Sequence, residues 1–76
     1  MDVLSRITIN DNLCNGKPTI RGKRITVQTI LEFLSAGDSI QDIISQYPTL
    51  EEDDIKACVR FAAELMNHQY SIKAIA

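Results

Sequence analysis

Residues 37–52 read GDSIQDIISQYPTLEE, and the fold turns on how this stretch is read. Gly37 stands where a left-handed residue closes a preceding helix. Ser39 is a natural N-cap, and Asp42 follows three residues later, the spacing of a capping box. Ile40, Ile43, Ile44 and Tyr47 then fall on a single helical stripe. Pro48 stops that helix, because a proline pushes the residue before it out of the α region. Thr49 with Glu52 predicts the capping box of another helix. Two helices that meet across so short a connector describe a helix-turn-helix or a plain helical hairpin.

The same periodicity extends outward on both sides. Ahead of the stretch, Val27, Ile30, Leu31 and Leu34 share one helical face that ends at Gly37. Behind it, Ile55, Cys58, Val59, Ala62 and Met66 give a third and longer amphipathic helix, with Phe61 and Leu65 widening its apolar side. Polarity rises at Asn67-His68-Gln69, where that helix frays, and Tyr70, Ile72 and Ile75 make an apolar tail. Before Thr26 the pattern is extended. Arg6-Ile7-Thr8-Ile9-Asn10 alternates polar and apolar residues, Asn10-Asp11-Asn12 and Asn15-Gly16 are turn formers, and residues 19–26 read as a second extended segment bent at Gly22. Pro18 lacks an N–H and suits an edge or an irregular loop. The expected architecture is one domain over residues 1–76 and mostly α. A short N-terminal β-hairpin or extended arm (1–26) precedes three helices (27–69) and a C-terminal tail (70–76).

Size and composition bound the function. A chain of 76 residues buries only about 60% of the surface its unfolded form exposes. It can fold alone, and a second copy or a partner would steady it. There is no Trp, and the aromatics are Phe33, Tyr47, Phe61 and Tyr70, so base-stacking platforms are scarce. No signal peptide, no membrane-length apolar run and no disulfide framework are visible, which predicts a cytoplasmic chain with reduced thiols.

The formal charge of −2 hides a split. Residues 1–26 carry Arg6, Lys17, Arg21, Lys23 and Arg24 against Asp2 and Asp11 and are net positive. The remainder carries Lys56, Arg60 and Lys73 against Glu32, Asp38, Asp42, Glu51, Glu52, Asp53, Asp54 and Glu64 and is net negative. Lys17, Arg21, Lys23 and Arg24 lie near Gly16 and Gly22 on a ribbon that could grip phosphates, although the spacing of a P-loop is absent. Equally, the ribbon could brace the helices or pair across a dimer, with Ile20 and Ile25 turned inward. Lys56 and Arg60 lie on one polar stripe of the third helix. They are open to nucleic acid or to surface pairs of the kind Asp53–Lys56 and Glu64–Arg60. The run Glu51-Glu52-Asp53-Asp54 complements the positive end of a helix dipole. At the start of the second helix of a helix-turn-helix those acids would meet phosphates, which disfavours the usual docking unless they point elsewhere.

Enzymatic chemistry is not expected, nor is a metal or cofactor. His68 is the only histidine, and Cys14 and Cys58 have no metal-type spacing. Cys58 sits on an apolar stripe, where a thiol is core filler.

Residues 6–63 resemble the bacterial domain-of-unknown-function family no. 433, many of whose members are taken to be VapB-type antitoxins. The residues that carry the likeness are Cys14, Gly16, Lys17, Pro18, Ile20, Gly22, Arg24 and Ile25, then Gly37 and the Tyr47-Pro48 connector. The position before Arg24, often Thr in the family, is Lys23 here. The resemblance implies a homeodomain-like three-helix helix-turn-helix with an N-terminal hairpin, often a homodimer. The implied partner is a PIN-like ribonuclease toxin, to be neutralised by protein–protein binding, with promoter DNA as a second partner. On that reading Lys17, Arg21, Lys23, Arg24, Lys56 and Arg60 would contact DNA, and Tyr70, Ile72 and Ile75 would contact the protein partner. The competing expectation is a dimeric protein-interaction module that binds no DNA.

Overall fold

The computed structural model describes residues 5–67. A two-stranded antiparallel hairpin, β1 (Ile7–Thr8) and β2 (Thr19–Ile20), leads into three helices, α1 (Val27–Ser35), α2 (Ile40–Gln46) and α3 (Glu52–Met66). Ile7 pairs with Ile20 and Thr8 with Thr19, which fixes the register that the sequence left open. Thr19 also bridges to Thr26 on its other side, so residues 19–26 double back on themselves. The reversal is a tight turn in which the Lys23 amide donates to the Ile20 carbonyl at 2.8 Å. Its central residues, Arg21 and Gly22, have φ of 46° and 72°, the signature of a type I′ turn. Gly22 adopts this freely; Arg21 does so against its preference.

The helix boundaries follow local chemistry. Thr26 caps α1 by accepting from the Thr29 amide at 3.1 Å. At the other end the Gly37 amide donates to Leu34 and the Asp38 amide to Phe33, with Gly37 at φ 101°, which is a Schellman motif. Ser39 and Asp42 form the expected capping box, at 2.9 and 3.1 Å. The Ser39 backbone and hydroxyl hold the Asp42 carboxyl below the usual carboxylate range. Tyr47 closes α2 and Pro48 follows it. The start of α3 differs from expectation. The capping residue is Glu51, not Thr49, and the residue reaching back is Asp54, whose carboxylate accepts from the Glu51 amide at 2.8 Å.

The core is aliphatic. Ile7, Ile20, Val27, Ile30, Ile43, Leu50, Ile55, Ala57 and Cys58 are buried together, drawn from the hairpin and all three helices. Phe33 and Tyr47 pack at its edge with ring centroids 6.0 Å apart. The inward face of α3 is rotated from the expected stripe. Asp54, Ile55, Ala57 and Cys58 are buried, whereas Val59 and Met66, expected inside, are 49% and 66% exposed. The cause is Asp54. Once this carboxylate is drawn beneath the hairpin, the helix turns residues 54, 57 and 58 inward and carries residues 59 and 66 toward solvent. No helix among the described residues is long and apolar enough to cross a membrane.

Candidate functional site

The densest polar cluster joins the hairpin to the start of α3. Asp54 lies at its centre, with no exposed side-chain surface. One of its oxygens, Oδ1, accepts from Arg6 Nη1 at 2.9 Å and Arg21 Nε at 3.0 Å. The other, Oδ2, accepts from Arg21 Nη2 and from the Glu51 amide, both at 2.8 Å. Arg21 thus grips the carboxylate with two donors, and all four acceptor positions are filled. Arg21 Nη2 also donates to the Thr49 carbonyl at 3.0 Å, and Arg6 Nη1 donates to Glu51 at 2.8 Å. Arg6 Nη2 stands 3.8 Å from Asp53.

The electrostatics follow from this geometry. Burial alone would raise the carboxyl of Asp54. Hydrogen bonds from Arg21, the Glu51 amide and Arg6 outweigh it and hold the group below the usual carboxylate range. Hydrogen bonding to Glu51 and then Asp54 holds the Arg6 guanidinium above its ordinary value, and Asp54 does the same for Arg21. The cluster is a strut rather than a reaction centre. It has no open coordination position, and its ionised groups are stabilised in their ordinary charge states. It also explains the turn: Arg21 is held at positive φ because its side chain is anchored at both ends of the fork.

The strut answers the puzzle of the acidic run. Glu51 and Asp54 face arginines of the chain itself, Asp53 lies near Arg6, and Glu52 pairs with Lys56 at 3.3 Å rather than leaving Asp53 to do so. Arg60 pairs with Glu64 at 3.0 Å along the same helix.

The six cations singled out in the sequence therefore separate. Arg21 turns inward onto Asp54 instead of standing ready for an outside anion, because a buried carboxylate offers it charge-assisted bonds that water-exposed phosphate cannot improve on. Lys56 and Arg60 are exposed but paired within α3. Lys17 and Arg24 are exposed and Lys23 half-buried; none makes an ion pair among the described residues. These three flank the turns of the hairpin. Tyr70, Ile72 and Ile75 lie outside the described residues.

Sequence reasoning did not pick out Arg6, Glu51 and Asp54 as one cluster. A signal was present: Asp54 precedes Ala57, Cys58 and Phe61 by three, four and seven residues, so an acid occupies a position on an apolar helical face. The thiols also divide. Cys58 is buried, and burial, with the nearby Asp54 charge, pushes its thiol up to about 12. Cys14 is partly exposed in a left-handed turn at φ 50°.

No curated protein matches the chain. Among solved structures, a DUF433 member protein from Anabaena variabilis ATCC 29413 aligns with a TM-score of 0.77 at 25% sequence identity. The alignment covers 83% of this chain and 62% of that one, so the chain spans less than two thirds of that relative's length. The hairpin, the Schellman stop at Gly37 and the Tyr47-Pro48 connector all lie inside the segment that matches a family profile, residues 7–62. By that match the chain belongs to the family described as "Protein of unknown function (DUF433)".

Proposed function

We propose that the chain works by binding another protein, as the cytoplasmic antitoxin-like component of a type II toxin–antitoxin pair that neutralises a PIN-like ribonuclease. The observation that supports a protein-binding role is the outer surface of α3. Its cations Lys56 and Arg60 are engaged by Glu52 and Glu64, while Val59 and Met66, seven residues apart on one stripe, stand 49% and 66% exposed. A helix face of that kind offers apolar contact to a protein and little to a phosphate backbone. The identity of the toxin class comes from the family resemblance. Within this reading Tyr70, Ile72 and Ile75, which follow α3 in the sequence, carry the contact with the ribonuclease. The chain has no proposed catalytic role.

Co-expression with the neighbouring open reading frame tests the reading. Co-purification with a nuclease, and relief of its toxicity, is the expected result. A neighbour that is toxic alone, stays toxic and does not co-purify overturns it.

Promoter binding is the second reading, supported by Lys17, Lys23 and Arg24, the cations of the hairpin that the chain does not pair among its described residues. Replacing all three with Ala would flatten the slope of log affinity against log salt by roughly 2–3 units. An unchanged slope would clear the hairpin of that role, and no shift of promoter DNA at low salt would remove the reading altogether.

A further inference from the structure

We propose that the cleft on the exposed face of α1, between Glu32 and Phe33, receives an arginine side chain of a protein partner. The inference rests on the protein-binding reading and adds a contact on α1 to the one on α3.

The cleft has a volume of about 200 Å³ and is lined, among the described residues, by Thr29, Glu32 and Phe33. These stand three and four residues apart and so share one face of the helix. The volume falls below the roughly 300–1,000 Å³ of a small-molecule site, so the opening takes one side chain rather than a metabolite.

Charge decides which kind of side chain. Glu32 is exposed and makes no ion pair among the described residues. Asp38 is half-buried and makes none either. The Schellman turn brings Asp38 back to Phe33, whose carbonyl accepts from the Asp38 amide at 3.0 Å. Asp42, by contrast, is occupied by Ser39. The last turn of α1 holds no basic residue, so the negative end of its dipole is uncompensated as well. The chain's own described cations do not fill the cleft: Arg6 and Arg21 are bound to Asp54, Lys56 and Arg60 are paired within α3, and Lys17, Lys23 and Arg24 flank the hairpin turns. The cation must come from outside.

The ring selects arginine over lysine. Phe33 is half-buried, and Tyr47 meets it at 6.0 Å and 59°, a tilted contact that holds the ring in one orientation. A planar guanidinium stacks on an aromatic ring while its fork binds a carboxylate, whereas an ammonium is a compact point charge. Arginine is also among the side chains that carry most of the energy of a protein interface when they enter a pocket.

Titration of the isotope-labelled full chain with the peptide acetyl-Gly-Arg-Gly-amide at low salt, followed by amide NMR shifts, is the test. Saturable shifts at Thr29, Glu32, Phe33 and Asp38 are expected, with a Kd of about 1–10 mM. The same peptide carrying citrulline, the neutral isostere of arginine, binds at least about tenfold more weakly. The lysine peptide binds about threefold more weakly. The double substitution Glu32→Gln with Asp38→Asn weakens the arginine peptide about tenfold. Neither carboxylate has an ion-pair partner among the described residues to lose, so the melting temperature stays close to that of the parent.

No saturable shift up to about 50 mM peptide, equal binding of the citrulline peptide, or shifts centred on Glu51, Glu52 and Asp53 instead would each overturn the proposal. A co-purified nuclease complex indifferent to Glu32→Gln/Asp38→Asn would also overturn it, while leaving the antitoxin reading intact. A peptide that binds as expected, beside a toxic neighbour that is neither captured nor neutralised, would uphold the cleft and remove the antitoxin reading.

Discussion

Replacing Asp54 with Asn leaves the side-chain volume nearly unchanged and removes the charge at the centre of the strut. The structure allows the cost to be worked out. Each carboxylate oxygen accepts two hydrogen bonds, Oδ1 from Arg6 and Arg21 and Oδ2 from Arg21 and the Glu51 amide. Whichever way the Asn amide is turned, its NH₂ group points at two donors. Two bonds are lost and donors are forced together in a site with no exposed side-chain surface. Removing one partner of a buried ion pair costs about 3–5 kcal/mol when the remaining charge stays buried. Here the side chains of Arg6 and Arg21 are 25% and 33% exposed and recover part of their hydration, which places Asp54→Asn near the lower end, about 3 kcal/mol. For a domain of this length, about 1 kcal/mol moves the melting temperature by roughly 4–8 °C, so the variant melts about 12–24 °C lower at pH 7.

The pH dependence of this gap has a definite sign. The Asp54 carboxyl is held below its ordinary value in the folded chain. Its contribution is therefore complete above the unfolded value of about 3.9 and is lost as pH falls through the lower folded value. Circular dichroism melts of parent and variant should run parallel from pH 7 to about pH 4 and converge below that. A variant within about 3 °C of the parent at pH 7, or a gap unchanged in acid below the folded value, would refute the claim that this carboxylate fastens the hairpin to α3.

Three further outcomes follow from local geometry. Arg21→Gly and Arg21→Ala both lose the fork to Asp54, but only Ala retains the penalty of the left-handed φ of 46°. Calorimetry should therefore find the Gly variant melting about 4–8 °C above the Ala variant, and equal melting would show that the turn carries no strain. Gly37→Ala meets no atom within 4 Å but must hold φ at 101°, so urea unfolding should show a loss of about 1–2 kcal/mol. A thiol-specific reagent should modify Cys14 at once and Cys58 only after denaturation, since Cys58 is fully buried with its thiol pushed up to about 12; two fast thiols in the native chain would contradict the packing of α3.

The ends of α1 and α2 were legible because their stop and start signals are local. Gly37, the Ser39–Asp42 pair and Pro48 each act within four residues of themselves, and no tertiary contact competes with them. The inward face of α3 was not legible in the same way. Arg6 and Arg21 stand 48 and 33 residues from Asp54, and nothing in a window around either arginine distinguishes it from Lys23 or Arg24. The choice among four consecutive acids is made by the hairpin, whose register places both guanidinium groups over one helix position. A periodicity that counts only apolar residues assigns Val59 and Met66 to the core, because it gives the acid no weight. Once Asp54 is counted as an inward residue, the stripe through 54, 57, 58 and 61 emerges, and residues 59 and 66 fall outside it.

That rotation has a consequence for function. The positive ribbon gathered ahead of the helices is two sets of residues, not one. Arg6 and Arg21 are consumed by the chain's own acidic helix start, so they hold the hairpin down and at the same time remove the repulsion that the acids would present to an approaching anion. Lys17, Lys23 and Arg24 are what remains for an outside partner, and they lie on the hairpin turns rather than on α3. If α3 were the nucleic-acid reader of a helix-turn-helix, its outward face would need cations to spare. Instead its lysine and arginine are matched one for one by Glu52 and Glu64, and Val59 and Met66 stand exposed on its outer side. The strut that fixes the fold is thus the same feature that leaves Val59 and Met66 on the outer side of the longest helix, the surface on which the proposed protein contact rests.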